Sequence, residues 1–415
     1  MSAIPEFDVV IAGGGMVGAS LALALAPLGL RVGLIEAMVL ESGVTHASFD
    51  ERTTALSNGS RRTFDALGVW TLIEREATPI KRIHVSDRGR FGFARLDAQD
   101  EGLNALGYVL PNRILGQALW HRLAEERIEV IAPARVTGMQ LVHGAAELTC
   151  DQVGSGARLL RTRLAVAADG AQSILRQAAG IGSSHKDYEQ VAITTNVLTQ
   201  RFHDYVAYER FAARGLIAML PLSEGRAGVI WTVAPQESER LLALSDAAFL
   251  SELQESFGFR LGRLLRVGAR ATYSLGLTRA ENCIAPRLAI IGNAAQSLHP
   301  IAGQGFNLGL RDAAALAEVL ANGVTEFGYT LDAGDGLLLE RYRGWRDADR
   351  SGIIRFTDGL VRAFSLRLGP LTLARDLGML AFDLMPNAKR ALSQLSLGAA
   401  GRVPRLARGA PLLPK

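Results

Sequence analysis

A chain of 415 residues, 48% hydrophobic and 21% charged, is long enough to bury more than one core and too apolar to stay disordered. No uninterrupted apolar run approaches bilayer-spanning length, and the start, MSAIPEFDVV, shows neither a basic n-region nor a cleavage site, so a cytoplasmic protein is expected. The two cysteines, Cys150 and Cys283, lie far apart and outside any CxxC pair, which argues against a structural disulfide and against a metal site.

In chain order, Asp8-Val9-Val10-Ile11-Ala12 is a β-branched run of the kind buried in parallel strands. It leads into Gly13-x-Gly15-x-x-Gly18 and an Ala/Leu-rich helix from Ala19 to Leu28. A second apolar run, Arg31 to Ile35, ends at Glu36. Strand, glycine turn, helix, strand and acid together form the context that a dinucleotide fingerprint requires. The first glycine permits the turn, the second lets a pyrophosphate reach the backbone, and the third lets helix and strand pack closely. Glu36 can accept from an adenosine ribose hydroxyl.

A helix is predicted after Arg52, ending before Gly68, followed by short strands at Lys81 to Val85 and Phe91 to Leu96. Asn112 reads as the cap of a helix to about Glu126. Strands follow at Glu129 to Ile131, Arg135 to His143 and Ala145 to Cys150, and another from Arg163 to Ala168 closes on Asp169-Gly170. Val191 to Leu198, Tyr205 to Phe211 and Gly228 to Val233 suggest a mostly antiparallel sheet inserted between parts of the nucleotide domain, with a helix from Ser245 to Phe257 on it. The apolar run Leu288 to Ile291 then stops at Gly292. A polar segment reaches Pro300 and Gly303-Gln304-Gly305, and a helical pattern opens near Asn307. A strand, loop and helix with glycines so placed can hold an anionic or polar cofactor at the helix N-terminus.

Residues 341–415 carry 14 Lys/Arg against 5 Asp/Glu; that net +9 leaves the rest of a +4 chain at −5. A basic tail suits an acidic partner such as anionic lipid or nucleic acid, or is a solvated helical face. Ile353, Ile354, Leu360, Val361, Phe364 and Leu368 share a helical face, as do Leu373, Leu377, Leu380, Ala381 and Leu384 after Gly369-Pro370. Such a stripe fits docking on the protein's own core, on a twin subunit, or on a membrane surface.

The fingerprint, Asp169-Gly170 and the late GxxxxxxxPxxGQGxN loop stand in the order that they have in the FAD-dependent aromatic hydroxylases. Residues from about Val9 to Asp312 resemble that family, the single-component monooxygenases of the para-hydroxybenzoate hydroxylase type. The resemblance implies an α/β fold: a Rossmann-like FAD-binding domain (GR2-type), an interposed mostly antiparallel β-sheet substrate domain and a helical C-terminus. The expected parts are a discontinuous FAD-binding domain (1–75, 100–185 and 280–345), a substrate domain (76–99 and 186–279) and a C-terminal helical segment (346–415).

Carried over by position, Gly13, Gly15, Gly18 and Glu36 would hold the ADP half of FAD, and Arg52 would lie near flavin and pyrophosphate. Arg113 would be a flavin-domain contact or an ordinary helix-start arginine. Asp169 would serve FAD and the transient nicotinamide. Pro300, Gly303, Gln304, Gly305, Phe306 and Asn307 would face the isoalloxazine, with helix-terminal N–H groups stabilising the reduced ring. His299 and Pro300 are the weak catalytic candidates beside the flavin, and His299 also fits a loop-packing role; no residue is an evident base for a phenol.

Where the family usually has Gly-Asp-Ala-Ala-His, this chain has Gly292-Asn293-Ala294-Ala295-Gln296. Asn293 keeps an acceptor for a ribityl hydroxyl without the charge. The wording is similar to the ubiquinone-biosynthesis branch, nearest to the 2-octaprenyl-6-methoxyphenol hydroxylases. The resemblance implies NAD(P)H as transient co-substrate and oxygen transfer from a flavin C4a-hydroperoxide to a polyprenyl-methoxyphenol ring. It implies O2, a polyprenylated phenol and other ubiquinone-biosynthesis proteins as partners, with peripheral association on the inner membrane, a homo-oligomer as a further form, and no nucleic acid. The alternatives are a hydroxylase for another ring position, a soluble aromatic-compound hydroxylase, or a non-catalytic flavin-fold scaffold. A flavin disulfide reductase lacks its cysteine pair here, and none of the four lysines fits a flavin halogenase.

Overall fold

The computed structural model describes residues 6–38, 52–89, 93–154, 156–212, 214–298, 303–365, 393–394, 397–399 and 401–413. The strand Phe7–Ala12 lies at the centre of the first sheet, pairing in parallel with Gly156–Ala167 on one side and Val32–Ile35 on the other. Glu129–Ile131 and Leu288–Ile290 extend the parallel core outward. Val9 and Ile11 bury against one face while Val10 and Ala12 bury against the other, so a strand covered on both sides needs a continuous apolar run. Helices Met16–Leu25, Asn112–Ala124 and Gln304–Phe327 cover one face, and the antiparallel strands Ala134–Val142 and Ala145–Gln152 cover the other.

The second sheet has nine strands among the described residues. Its long spine, Ser183–Thr199, pairs antiparallel with Ala271–Ala280 and Arg226–Val233. Gly215–Pro221, Val206–Ala212, Arg82–Asp87 and Phe93–Asp97 follow in order; only the Val206–Ala212 and Arg82–Asp87 pair is parallel. Helix Asp246–Phe257 seals the back of this sheet, its Phe249 edge-on to Trp231 at 5.9 Å. An aromatic pair of that kind adds about 0.5–1.5 kcal/mol beyond the area it buries. The two-residue strand Gln296–Ser297, within the late motif, pairs with Ala271–Ala280 and so ties the nucleotide half to the sheet.

Three local expectations change. The chain just after Arg52 is not helical: Thr53–Ser57 is a strand paired with Gly107–Pro111, and the helix begins at Asn58. The β-branched threonines favour the strand, and Ser57 caps the helix by accepting from the Ser60 amide at 3.2 Å. Asn112 does not cap its helix; Pro111 holds the cap position, and the Asn112 Oδ1 accepts from Thr54 Oγ1 at 2.5 Å. The late helix opens at Gln304, three residues ahead of Asn307. In the tail, helix Gly336–Ser365 buries Ile353 and Ile354 in the protein. The side chains of Leu360, Val361 and Phe364, and all stripe positions from Leu368 onward, lie outside the described residues.

Candidate active site

One continuous cavity of about 1880 Å3 is lined by both sheets. Ordinary ligand pockets span ~300–1,000 Å3, so this one has room for a large cofactor and a second molecule. The glycine turn and Glu36 line it, as do Ala192, Thr194, Asn196 and Tyr273 of the second sheet. Arg52, Asp169, Asn293 and residues Gly303 to Asn307 also face it.

At the glycine turn the backbone leaves no space for side chains. A Cβ on Gly13 would meet the Ala168 carbonyl oxygen at 2.5 Å, and one on Gly18 would sit 1.9 Å from the Gly13 oxygen. Gly18 therefore does not line the cavity; it lets helix Met16–Leu25 lie against the strand. That helix begins at Gly15 without a side-chain cap, which leaves first-turn amides available to a phosphate. Glu36 is buried at the turn: Oε2 accepts from the Gly14 amide at 2.6 Å and Oε1 from the Met38 amide at 3.0 Å. A carboxylate has about four acceptor positions, so capacity for a ribose hydroxyl remains. Trp120, which sequence reading passed over, donates from Nε1 to the Gly14 oxygen at 3.1 Å.

Asp169 Oδ2 accepts from the Ile174 amide at 2.9 Å, while Oδ1 is buried without a hydrogen-bond partner among the described residues. The late helix likewise starts without a side-chain cap, at Gly303 in the left-handed region (φ 59°), and a Cβ on Gly305 would meet nothing within 4 Å. Two uncapped helix starts, a cradle closed to any Cβ and an orphaned carboxylate oxygen fit the diphosphate and hydroxyls of FAD.

The strand and loop from Ile290 to Gln296 are braced from behind. Tyr342 Oη donates to the Ile290 oxygen at 3.2 Å, Arg176 to the Ala294 oxygen at 2.8 Å, and Arg350 to the Ala295 oxygen at 3.0 Å. The Asp312 Oδ2 accepts from the Gly292 amide at 3.1 Å and from Gln296 Nε2 at 2.7 Å. Its Oδ1 accepts from Arg346 Nε at 2.8 Å, and Arg346 also pairs with Asp349, which holds Arg311 at 2.8 Å. Burial works against the Arg346 charge, but Asp312 and Asp349 outweigh it and hold that guanidinium above its ordinary range. Burial pushes the Tyr342 hydroxyl well up, so it stays a neutral donor. Gln296 is thus a buried strut, whereas its motif partner Asn293 is exposed on the cavity wall.

Asn307 is also a strut. Its Oδ1 accepts from the Ser57 amide at 2.9 Å and Ser60 Oγ at 2.7 Å; its Nδ2 donates to the Ala55 and Gly303 oxygens at 2.9 and 2.7 Å. Its side-chain hydrogen-bonding capacity is filled, fixing strand Thr53–Ser57 against the late loop. Gln304 and Phe306 line the cavity. Arg52 lies over the Tyr273 ring at 4.5 Å, joining the nucleotide half to the second sheet. Arg113 is half-buried at its helix start and is not among the residues lining the cavity, although Asn112 is. His299 and Pro300 lie outside the described residues. Tyr273 and Glu209 are wall residues that sequence reading missed; only the register of the second sheet shows which way their strands face.

A parallel nucleotide-binding sheet opening onto an antiparallel sheet, with the cavity shared between them, defines a flavoprotein monooxygenase. Residues 6–348 match the model of the FAD binding domain family. The chain belongs to that family; it is an FAD-dependent aromatic monooxygenase, a class for which NAD(P)H is the usual co-substrate. It is 39% identical to the ubiquinone hydroxylase UbiL of Rhodospirillum rubrum, over 98% of this chain and 93% of that one. It is 32% identical to the 3-demethoxyubiquinol 3-hydroxylase of Escherichia coli, over 94% and 98%. The crystal structure of p-nitrophenol 4-monooxygenase PnpA from Pseudomonas putida superposes with a TM-score of 0.76 at 21% identity, covering 97% of this chain and all of that one. Among the described residues no helix is long and apolar enough to cross a membrane.

Proposed function

We propose that the protein hydroxylates the ring of a polyprenylated methoxyphenol in ubiquinone biosynthesis. The observation that carries this is the shared cavity, too large for cofactor alone and walled on the substrate side by Ile83, Ala94, Leu96, Ala218 and Leu220. The activities of the two relatives support the pathway, and the Asn293 and Gln296 form of the late motif supports the 6-methoxyphenol as the ring acted on.

FAD, when bound, supplies hydride uptake from NAD(P)H and oxygen activation. The protein's share is placement and exclusion of water. Gly13, Gly15 and Glu36 would hold the ADP half, Arg52, Asp169 and Asn293 would serve the pyrophosphate and ribityl chain, and the amides from Gly303 onward would stabilise negative charge on the flavin ring. Glu209 is a carboxylate among the residues lining this cavity. Replacing Glu209 with Gln tests whether it serves the substrate: a kcat at least tenfold lower assigns it a part in the reaction, and an unchanged kcat leaves it a wall residue.

A clean deletion with analysis of quinone intermediates tests the assignment. Accumulation of the polyprenyl-6-methoxyphenol supports it. Accumulation of a demethoxyubiquinol moves the reaction to another ring position, and unchanged quinone defeats the proposal.

A further inference from the structure

Helix Asp246–Phe257 ends at Gly258, and the turn closes where the Gly262 amide donates to the Phe259 oxygen at 3.0 Å. Phe259 opens that turn, 65% exposed. From residue 256 to 280 the chain carries five arginines and no acid. Arg201 and Phe202 run alongside, the Arg201 amide donating to the Leu261 oxygen at 3.0 Å, with Phe202 51% exposed. Leu265, 49% exposed, and Arg266 follow on the next edge strand.

Among the described residues, Arg201, Arg260, Arg263 and Arg266 have no carboxylate within ion-pair distance. The nearby acids Glu255 and Glu224 are taken by Arg88 at 3.5 Å and Arg226 at 3.4 Å, and Asp204 is exposed. Beneath the turn, Arg260 donates to Ser86 Oγ at 2.9 Å. His84, 8% exposed, accepts at Nδ1 from Arg95 at 3.3 Å, which leaves its proton on Nε2, a buried atom without a hydrogen-bond partner among the described residues. Burial first, then the neighbouring Arg260 and Arg88, lowers the Arg210 guanidinium pKa; burial, with repulsion from Arg95 and against the pull of Tyr208, lowers that of Arg260. Exposed rings interleaved with uncompensated arginines match the interfacial zone of an anionic bilayer, where cations meet phosphates and apolar tips enter the acyl boundary.

We propose that this face docks on an anionic bilayer, with Phe259, Phe202 and Leu265 entering the interface and Arg201, Arg260, Arg263 and Arg266 taking lipid phosphates. Strands Arg82–Asp87 and Val206–Ala212 carry Ile83, Val85 and Phe211 on the cavity side, and His84, Tyr208 and Arg210 alternate with them. The docking face and the substrate wall are therefore the two sides of one layer. Docking rests on surface chemistry alone, and only its service to a bilayer-resident substrate rests on the proposed function.

Flotation of the full-length, FAD-loaded protein tests this without turnover, so the two readings fail separately. The protein should float with phosphatidylcholine vesicles containing phosphatidylglycerol, less so at high salt, and not with phosphatidylcholine alone. Arg260→Gln with Arg263→Gln should weaken partitioning roughly twentyfold, and Phe259→Ser should weaken it without changing the salt dependence, both at unchanged flavin content. Arg355→Gln with Arg408→Gln in the tail should bind like wild type. No binding to either vesicle, or loss only in the tail variant, overturns the proposal.

Discussion

Replacing Asp312 with Ala would remove a carboxylate that holds three donors in a fully buried place: the Gly292 amide, Gln296 Nε2 and Arg346 Nε. Breaking one side of a buried ion pair costs about 3–5 kcal/mol, because the remaining charge stays desolvated. An orphaned buried amide adds ~1–3 kcal/mol, less where the loop relaxes. Asp349 still contacts Arg346 and limits the damage, so the expected loss is about 4 kcal/mol, a large part of an ordinary domain's ~5–15 kcal/mol. Urea unfolding followed by tryptophan fluorescence measures it. The design needs the cycle Asp312→Leu, Arg346→Met and both together, with the double variant less damaged than the sum of the singles by about 2 kcal/mol. Flavin retention should fall in the singles, because the strand and loop leading to Asn293 lose their backing. A loss under about 1 kcal/mol for Asp312→Ala, or simple additivity in the cycle, would refute the idea that this cluster clamps the late motif.

Two further outcomes are expected. Gly18→Ala should yield protein that does not retain FAD on desalting, since its Cβ would fall 1.9 Å from the Gly13 oxygen and force helix and strand apart; full flavin occupancy would count against that packing. Burial first, then Arg260, Arg95 and Arg210, lower the His84 pKa from 6.5 to about 4. The unfolded chain then binds a proton that the folded one refuses, so stability is present above pH 6.5 and is lost as pH falls toward 4. The loss is about 3 kcal/mol, and His84→Gln should flatten that slope.

The dinucleotide turn was legible because its logic is local: Gly13, Gly15, Gly18 and Glu36 lie within a single strand–helix–strand unit whose glycines answer to nearby backbone. The late loop was legible for the same reason. What escaped reading depends on register and long-range pairing. Tyr273 faces the cavity because its strand pairs with Ser183–Thr199 in one register, and a shift of one residue would turn it away. Asp312 drew no role of its own in the helical pattern after Asn307, and its partner Arg346 counted toward a basic tail. Arg346 and Arg350 are in fact buried beneath the late motif, so part of the tail's charge belongs to the core. Asn307 lines the cavity as its motif position suggests, but its side chain's second task was not legible: four hydrogen bonds make it a pin between segments some 250 residues apart.

The central strand Phe7–Ala12 has a consequence for the order in which the molecule can be built. Its parallel neighbour Gly156–Ala167 lies nearly 150 residues downstream, and Leu288–Ile290, which completes that side, comes later still. At a synthesis rate of roughly 5–20 residues per second, the first strand waits on the order of ten seconds or more after it emerges before its second edge is covered. The clamp on the late motif closes only when Arg346 and Arg350 have left the ribosome. A chain stopped short of them would carry the fingerprint and glycine loop with Asp312 deprived of its Arg346 partner, and would be a target for chaperone or protease rather than a partly active enzyme.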